Sequence, residues 1–459
     1  MKPTATDIAA IRFGYGLGPE AGGAGDADAL IEALRAADPV PPPLRGLASA
    51  PRLREQNEVL AMLRASRKDK DSDAFAMARR ERGATYVNHY LSDAHARLVA
   101  AVQSPCPLFE RLVAFWSNHF TVSTRLGKLR PTVGPYEVEA IRPHVTGRFS
   151  DMLLAVARHP VMLIYLDQFR SVGPNSRVGR KRGRGLNENL AREIMELHTL
   201  GVDGGYSQED VTELAKLLTG WTVDREAGTF LFRRGVAEPG TKRVLGRTFG
   251  GRQPREDDAV GALIMLAEHP ATARHLATKL ARHFVADDPP AAVIDRLATA
   301  WMDGNGELMP VYEALLRSPE AWDGFGAKVK TPYEFVVSGL RAAGVPPKRF
   351  APRQRGARLR PNPLGTGALE EMSQAMWNAP GPDGWPDRAS DWMTPLGLTK
   401  RLNWISQVIP YVKESDPLEF AEAALGSAAA DHTLLTIQNA SRREEGLALV
   451  LASPEFNRR

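Results

Sequence analysis

Helical spacing of apolar residues dominates this sequence and limits the folds available to it. Residues 51–104 are charged throughout, and their apolar positions recur mostly at intervals of three and four, as in an amphipathic helix. Residues 106–123 and 257–345 also read as helical. Only residues 228–249 alternate as paired strands do, with a turn signal at Pro239-Gly240. The sequence therefore predicts a mainly α, compact multi-helix domain with one small β-hairpin insertion.

The length of 459 residues exceeds the size at which one hydrophobic core usually keeps growing. We therefore expect either one large helical domain or sub-lobes at residues 1–169, 187–345 and 346–459. Residues 361–395 are rich in Pro, Gly and Trp and are too long for a plain connection between helices. We expect this loop to be ordered and to line a cleft.

The composition is that of a soluble globular protein, with 43% hydrophobic and 25% charged residues. The net charge of +5 is a weak field for so large a surface. The basic stretch at 177–184 has no interleaved aromatic residues, so we expect no nucleic-acid binding. A single cysteine, Cys106, excludes an intramolecular disulfide and a cysteine-based metal site.

The sequence carries no signal for membrane insertion or export. No apolar run approaches the 18 residues of a membrane-spanning helix. Asp7 and Arg12 interrupt the position where a signal peptide would have its apolar core. We expect a cytoplasmic protein as the sequence stands, or a periplasmic one if a signal peptide has been removed.

The stretch "NENLAREIMELHTLG" at 187–201 holds an unusual density of polar side chains and ends at a glycine. On a helix, Glu188, Arg192 and Glu196 stand four residues apart on the face opposite the apolar residues. An exposed ladder of ion pairs explains that pattern, each pair stabilising the helix by roughly 0.2–0.5 kcal/mol. This structural interpretation competes with a catalytic one.

The catalytic interpretation rests on two features of the same stretch. Glu193 and Glu196 are three residues apart, and adjacent carboxylates raise one another's pKa and can supply an acid and a base. His198 lies within the apolar face, where an imidazole must find a hydrogen-bond partner or a ligand.

Standard metal and nucleophile motifs are not matched. The stretch offers Glu-x-x-Glu and Glu-x-His, not the spacings of helical zinc or di-iron sites. There is also no G-x-S-x-G motif of a serine hydrolase. We expect no cofactor, and a Mg²⁺ or Ca²⁺ site formed by Glu193, Glu196 and a distant aspartate stays open as an alternative.

Seven separated segments together resemble the bacterial domain of unknown function family 1800. They are "FWSNHFTVS", "HPVMLIYLDQ", "NENLAREIMELHTLGVDGGYSQEDVTELAKLLTGW", "HPATARHLATKLARHFV", "KVKTPYEFVVSGLRA", "NAPGPDGWPD" and "LASPEF". The likeness covers nearly the whole chain. It implies a protein partner from the domain of unknown function family 1501, whose members resemble alkaline phosphatases and sulfatases, and it implies no settled activity.

The chain departs from the family pattern at two points. Many members look exported, whereas this sequence shows no export signal. The family commonly has His-Asp in the hairpin where this chain has Ala237 and Glu238, so no histidine role carries over there. The family's polar positions fall on Asn118, His119, Asp167, Asn187, Glu188, Asn189, Arg192, Glu193, Glu196, His198, Tyr206, Asp210, Lys279, Lys328 and Lys330.

These observations favour an enzyme that uses carboxylate general acid/base chemistry, hydrolysis or elimination, on a polar polymer such as a glycan. The candidate catalytic residues are Glu193, Glu196, His119, His198, Asp167 and Asp210. The candidate substrate-binding residues are Asn118, Asn187, Glu188, Asn189, Arg192, Tyr206, Lys279, Lys330, Trp385 and Trp392. Two alternatives stay open: a non-catalytic scaffold that docks on a phosphatase- or sulfatase-like partner, and a metal-dependent hydrolase.

Overall fold

The structure, a computed structural model, describes residues 3–18, 25–65, 73–182, 185–413 and 416–459. These residues are mainly helical, and their sheets are three small antiparallel ones of two strands each. The predicted fold class is therefore confirmed.

The first half of the chain contains the two helices predicted from the charged stretch at 51–104. The bounds are α1 (Ala5–Ile8), α2 (Ala27–Arg35), α3 (Ser49–Ala65), α4 (Asp73–Val102), α5 (Pro107–His119), α6 (Val133–Tyr136), α7 (Phe149–Arg158), α8 (Pro160–Tyr165), α9 (Arg177–Arg182), α10 (Asn189–Glu193) and α11 (Gln208–Leu218). In the basic stretch at 177–184, Gly183 and Arg184 lie outside the described residues.

Helices resume after residue 255 and continue to the last residues of the chain. The bounds are α12 (Glu256–Ala267), α13 (Pro270–Phe284), α14 (Ala291–Asp303), α15 (Leu308–Leu316), α16 (Glu320–Asp323), α17 (Pro332–Ala342), α18 (Thr366–Glu371), α19 (Ala389–Trp392), α20 (Pro395–Val408), α21 (Pro417–Leu425), α22 (Asp431–Gln438), α23 (Arg443–Ala452) and α24 (Pro454–Asn457). The 361–395 segment is ordered, as predicted, and includes α18 and α19.

Two hairpins stand where one was predicted near 228–249. The first pairs β1 (Trp221–Asp224) with β2 (Thr229–Phe232), and the second pairs β3 (Gly240–Val244) with β4 (Arg247–Gly251). A third hairpin pairs β5 (Arg353–Arg355) with β6 (Arg358–Arg360).

The predicted turn at Pro239-Gly240 is wrong because Gly240 begins β3 instead. The chain reverses at Leu245 and Gly246, whose φ angles are +46° and +77°. A two-residue hairpin turn of this kind needs positive φ at both positions. Leucine rarely adopts that conformation, so nothing at residue 245 marks the turn in the sequence.

Two His-Pro pairs fix the starts of α8 and α13. In each pair the proline occupies the first turn, where its missing N–H costs nothing. The imidazole Nδ1 of His159 accepts the backbone N–H of Val161 at 3.2 Å, and that of His269 accepts the N–H of Ala271 at 3.1 Å. Each histidine thus caps the helix that its proline begins.

The buried apolar residues form one main cluster that reaches from Ala9 to Phe456. At its centre lies α5, in which Leu112, Val113 and Trp116 are at most 1% exposed. The indole Nε1 of Trp116 donates to the hydroxyl of Tyr312 at 2.7 Å, which satisfies its polar atom within the core. No helix in the described part of the chain is both long and apolar enough to cross a membrane.

Candidate functional site

A cavity of about 350 Å³ lies between α5, α13, the start of α17 and the 361–395 segment. Its wall includes His119, Lys279 and Trp385. Exposed residues of the 361–395 segment, among them Asp383 and Arg388, form its rim. The predicted cleft lined by this segment is therefore present.

Asn118, at the end of α5, holds the 361–395 segment against the helix. Its Nδ2 donates to the Trp385 carbonyl at 2.9 Å, and its Oδ1 accepts the Trp385 backbone N–H at 2.7 Å. Gly384 has φ of +86°, and a Cβ there would lie 2.5 Å from the Asn118 carbonyl oxygen. Only glycine fits this close approach. Trp385 is thereby fixed in the cavity wall.

Helix α13 brings three polar side chains to one side at intervals of four residues: His275, Lys279 and His283. Lys279 and His283 line the cavity. The Nζ of Lys279 lies 3.0 Å from Nδ1 of His119, and Nε2 of His119 lies 3.2 Å from the His198 carbonyl oxygen. Since a carbonyl only accepts, His119 Nε2–H donates to it and Nδ1 accepts from Lys279.

Burial controls the charge states of this pair. Desolvation, with the nearby charge of Lys279, holds the pKa of His119 well below its ordinary value. Desolvation also lowers the pKa of Lys279 to about 8, although Asp387 and Asp383 act in the opposite direction. His119 is therefore neutral, and Lys279 loses its proton around pH 8, well below an ordinary lysine.

Near His283, the cavity is bordered by a network of buried charged groups. Nδ1 of His283 donates to Asp387 at 3.0 Å, while its Nε2 accepts from Arg111 at 3.3 Å. Glu334 lies 2.9 Å from Arg111 and 3.0 Å from Arg459. Burial alone would raise the pKa of Glu334, but these two guanidiniums hold it well below its usual range. This network provides fixed charges and no free acid or base.

The motif at 187–201 is not one regular α-helix. After α10, residues Ile194–His198 form a π-helical segment, an arrangement frequent at functional sites. At its end the carbonyls of Leu197 and His198 accept from His275 and His119, respectively. A Cβ on Gly201 would lie 2.8 Å from Nδ1 of His275. The terminal glycine thus makes room for the histidine that satisfies the helix end.

Glu193 is the most perturbed carboxyl of the motif. It is half-buried, and it forms no hydrogen bond or ion pair with the described residues. Burial, followed by the charges of Glu196 and Asp383, raises its pKa to about 7, with Arg192 acting in the opposite direction. Because Asp383 belongs to the cavity rim, Glu193 shares the electrostatic environment of the cavity.

Glu188 and Arg192 belong to a surface network, as the structural interpretation expected. Glu188 accepts from Arg192 at 3.3 Å, from Gln208 at 2.9 Å and from Thr212 at 2.7 Å. These bonds tie α10 to α11. The acidic face is therefore divided: Glu188 belongs to a surface network, whereas Glu193 is half-buried and without such bonds to the described residues, and neither is among the residues that line the cavity.

Two other candidate residues bond to the backbone through their side chains. Asn187 donates to the Leu166 carbonyl at 3.2 Å, and its Oδ1 accepts the Asn189 N–H at 3.0 Å. Asp210 caps α11 by accepting from Ser207 and also accepts the Leu245 N–H at 2.7 Å. These side chains fix the chain path around the motif.

The remaining candidates lie outside the cavity lining. Asp167 is half-exposed, with an oxygen 3.8 Å from Arg170. His198 is 1% exposed and packs against Phe120, as its apolar position indicated. Lys330 is buried with its Nζ 4.3 Å from the ring centre of Phe456. Asn189 is exposed, Glu196 and Tyr206 are half-buried, and Trp392 is buried.

Trp392 supports the cavity indirectly. Its ring centre lies 6.1 Å from that of Trp385, and its Nε1 donates to the Pro386 carbonyl at 3.0 Å. The structure also adds cavity residues that we did not predict, namely His283, Asp383 and Asp387. The four-residue spacing of His275, Lys279 and His283 in the sequence could have indicated that His283 lies on the same helix face as Lys279.

No group of three or more His, Cys, Asp or Glu side chains among the described residues is arranged to hold a metal ion. The model of the family described as "Protein of unknown function (DUF1800)" matches residues 8–458. The chain belongs to this family. The match to family DUF1800 includes every element of the cavity. No curated protein and no solved structure matches the chain.

Proposed function

We propose that the protein is an enzyme that binds a polar, hydroxylated substrate such as a glycan in the cavity and cleaves it by carboxylate acid/base chemistry. The observation that carries this proposal is that Glu193, half-buried and without a hydrogen-bond or ion-pair partner among the described residues, has its pKa raised to about 7, in part by the charge of the rim carboxylate Asp383. A general acid works best when its pKa lies near the operating pH.

Glu193 serves as the acid that protonates the leaving group, and Asp383 serves as the base. This pairing supports hydrolysis or elimination, because both reactions need one group to give a proton and another to take one. Glu196 lies three residues from Glu193 and contributes by keeping the pKa of Glu193 high.

The cavity also suits a sugar in size and lining. Its volume of about 350 Å³ lies within the usual range of ligand pockets. Trp385 offers an aromatic face in the wall, and Arg282 and Lys279 offer positive charge. Together these groups favour a hydroxylated substrate that carries some negative charge.

The test is a comparison of variants on a panel of polysaccharides, phosphoesters and sulfoesters. We expect Glu193→Gln and Asp383→Asn each to lower turnover by about 10²–10⁴-fold, as the loss of a general acid or base does. The matched control is Glu209→Gln, which removes an exposed carboxylate from the neighbouring α11 and should keep parental turnover. If neither Glu193→Gln nor Asp383→Asn lowers turnover, the proposal is contradicted.

A second candidate function, docking on a phosphatase- or sulfatase-like partner of family 1501, is favoured by the β5–β6 hairpin. Its register sets Arg353 opposite Arg360 and Arg355 opposite Arg358, and all four are exposed. Like charges directly opposite one another destabilise a strand pair. An acidic partner surface would relieve that repulsion.

Co-purification with a family 1501 protein tests this candidate. Changing Arg355 and Arg358 to Gln should abolish co-purification, whereas Glu193→Gln should leave it intact. If the parent, the Arg355/Arg358 double variant and Glu193→Gln co-purify with the partner to the same extent, docking through the hairpin is contradicted.

A further inference from the structure

Lys279 lines the cavity, and its polar partner is a histidine ring and not a carboxylate. Lys328, close by, has its Nζ 2.5 Å from an Asp287 oxygen and also contacts Asp387. Lys279 forms no ion pair with any carboxylate of the described residues, and its hydrogen-bond partner is the neutral ring of His119. The charged form of Lys279 is therefore favoured only by more distant carboxylates, Asp387 and Asp383, and not by a direct ion pair with the described residues.

His119 fixes both the position and the orientation of this amine. The His198 carbonyl holds the imidazole with its proton on Nε2, so Nδ1 is a pure acceptor toward Lys279. A neutral amine that donates one N–H to Nδ1 keeps its lone pair free, and Lys279 is among the residues that line the cavity. The three groups repeat the arrangement of an activated nucleophile, in which a base partner is oriented by a third group.

We propose that Lys279 is an amine nucleophile that forms an imine with an aldehyde or ketone substrate bound in the cavity. The substrate class is a carbonyl compound such as the open-chain form of a sugar. The inference deepens the proposed function and rests on it only in placing the substrate in this cavity.

The reaction balances without an oxidant or a reductant. The Nζ lone pair forms a bond to the carbonyl carbon while the C=O π pair moves to oxygen, and the proton lost from nitrogen is matched by one gained on oxygen. The resulting hydroxyl takes up a further proton from solvent and leaves as water while the nitrogen lone pair forms the C=N bond, which gives an imine that is protonated on nitrogen. The protonated imine then withdraws electrons from the neighbouring carbon, so a cavity carboxylate such as Asp383 can take that carbon's hydrogen as a proton.

Several charged groups set the proton affinity of Lys279. Asp383 and Asp387 favour its charged form, whereas Arg282 and desolvation favour the neutral form. Its helix neighbour His275 has its own pKa lowered to about 4, by burial first and then by the charge of Lys279. This histidine is therefore neutral and does not compete for the proton.

Reductive trapping with a small aldehyde tests the inference without any assay of turnover. The intact protein is treated with glycolaldehyde and cyanoborohydride near neutral pH, and labelled lysines are mapped by peptide mass spectrometry. We expect Lys279 to be labelled at least about tenfold faster than the exposed Lys181, since each pKa unit changes the neutral fraction about tenfold. In Lys279→Arg, the label at residue 279 should disappear while the labels on the other lysines remain.

Lys330 provides an internal control for the role of the cavity. Burial lowers its pKa to about 7 as well, but it lies outside the cavity lining and is 2% exposed. We expect it to remain unlabelled. Labelling of Lys330 at the rate of Lys279, or of Lys279 at the rate of Lys181, overturns the inference, even if the proposed acid/base activity is found.

The pH dependence of labelling supplies a second readout, which needs no substitution of Lys279. Asp383→Asn removes a negative charge that favours the ammonium form, so the midpoint for Lys279 should move from about pH 8 to lower pH. A midpoint unchanged or moved upward contradicts the proposed environment of the amine. If Lys279 is labelled fast but the protein cleaves none of the polysaccharides, phosphoesters and sulfoesters, the inference about Lys279 is supported and only the acid/base proposal is contradicted.

Discussion

At the scale of single residues, Glu193 and Glu188 show how neighbours on one helix acquire different properties. Glu188 is held by three hydrogen-bond donors on the surface, whereas Glu193 has no such donor among the described residues and has a pKa of about 7. The proximity of Glu193 to Glu196 could be predicted from their three-residue spacing in the sequence. The contribution of Asp383 was not, because 190 residues separate it from Glu193 in the chain.

The raised pKa of Glu193 predicts a pH-dependent stability. The folded protein holds this proton more tightly than the unfolded chain, where the group titrates near 4.5. Its contribution to stability is therefore complete below the unfolded pKa and is lost as the pH rises to about 7. Glu193→Gln does not titrate, so the variant should gain stability relative to the parent over that interval.

Denaturant unfolding from about pH 4 to about pH 8 measures this difference directly. The free energy of unfolding of Glu193→Gln minus that of the parent should increase with pH and then level off. Glu209→Gln, which removes an exposed carboxylate outside the motif, is measured beside it as the matched control. A flat difference for Glu193→Gln would contradict the raised pKa.

At the scale of elements, helices were predicted more successfully than turns. Caps and apolar spacing lie within a few residues of one another, so they are visible in the sequence, as at the His-Pro starts of α8 and α13. The hairpin reversal at Leu245 and the π-helical segment at Ile194–His198 were not predicted. Both depend on packing against distant residues, such as His119 and His275 on the carbonyls that end the motif.

The glycine that ends the motif should be sensitive to substitution. Gly201 has φ of +86°, and a Cβ there would meet His275, whereas Gly205 has φ of +80° and no atom within 4 Å of a Cβ. Gly205→Ala should cost about 1–2 kcal/mol of stability from backbone strain. Gly201→Ala should cost about 1–3 kcal/mol more, as overpacking does.

Thermal or denaturant unfolding of both variants gives the comparison. In a double-mutant cycle, Gly201→Ala should cost about 1–3 kcal/mol less in the His275→Ala background than in the parent, since the clash is with that ring. Equal losses for the two glycines would show that close packing at residue 201 is absent.

At the scale of the whole molecule, buried ion pairs connect elements far apart in sequence. Glu334 of α17 joins Arg111 of α5 and Arg459 near the cavity wall. Glu137 bonds Arg97 of α4 at 2.8 Å. Composition and periodicity predicted a large helical domain, but they do not reveal which charges meet inside it. The 361–395 segment was predicted to line a cleft, but the other residues of its wall were not predictable, for the same reason, since they come from helices far apart in the sequence.

Removing the charge of Glu334 should destabilise the whole molecule. Glu334→Gln leaves two buried guanidiniums without their counter-charge, and breaking a buried pair in this way costs about 3–5 kcal/mol. Asp295→Asn breaks an exposed pair with Arg274 and should cost less than about 1 kcal/mol. Denaturant unfolding compares the two, and similar small losses would show that the buried network adds little to stability.

The central claim, that Glu193 of the motif is an acid whose pKa is set in part by Asp383 of the cavity rim, is tested most directly by carbon NMR titration of the glutamate carboxyls. One carboxyl should titrate near pH 7 and be missing in Glu193→Gln. In Asp383→Asn its midpoint should fall, because a repelling negative charge is removed. A Glu193 midpoint at the ordinary value near 4.5, or one that Asp383→Asn leaves unchanged, would contradict the account.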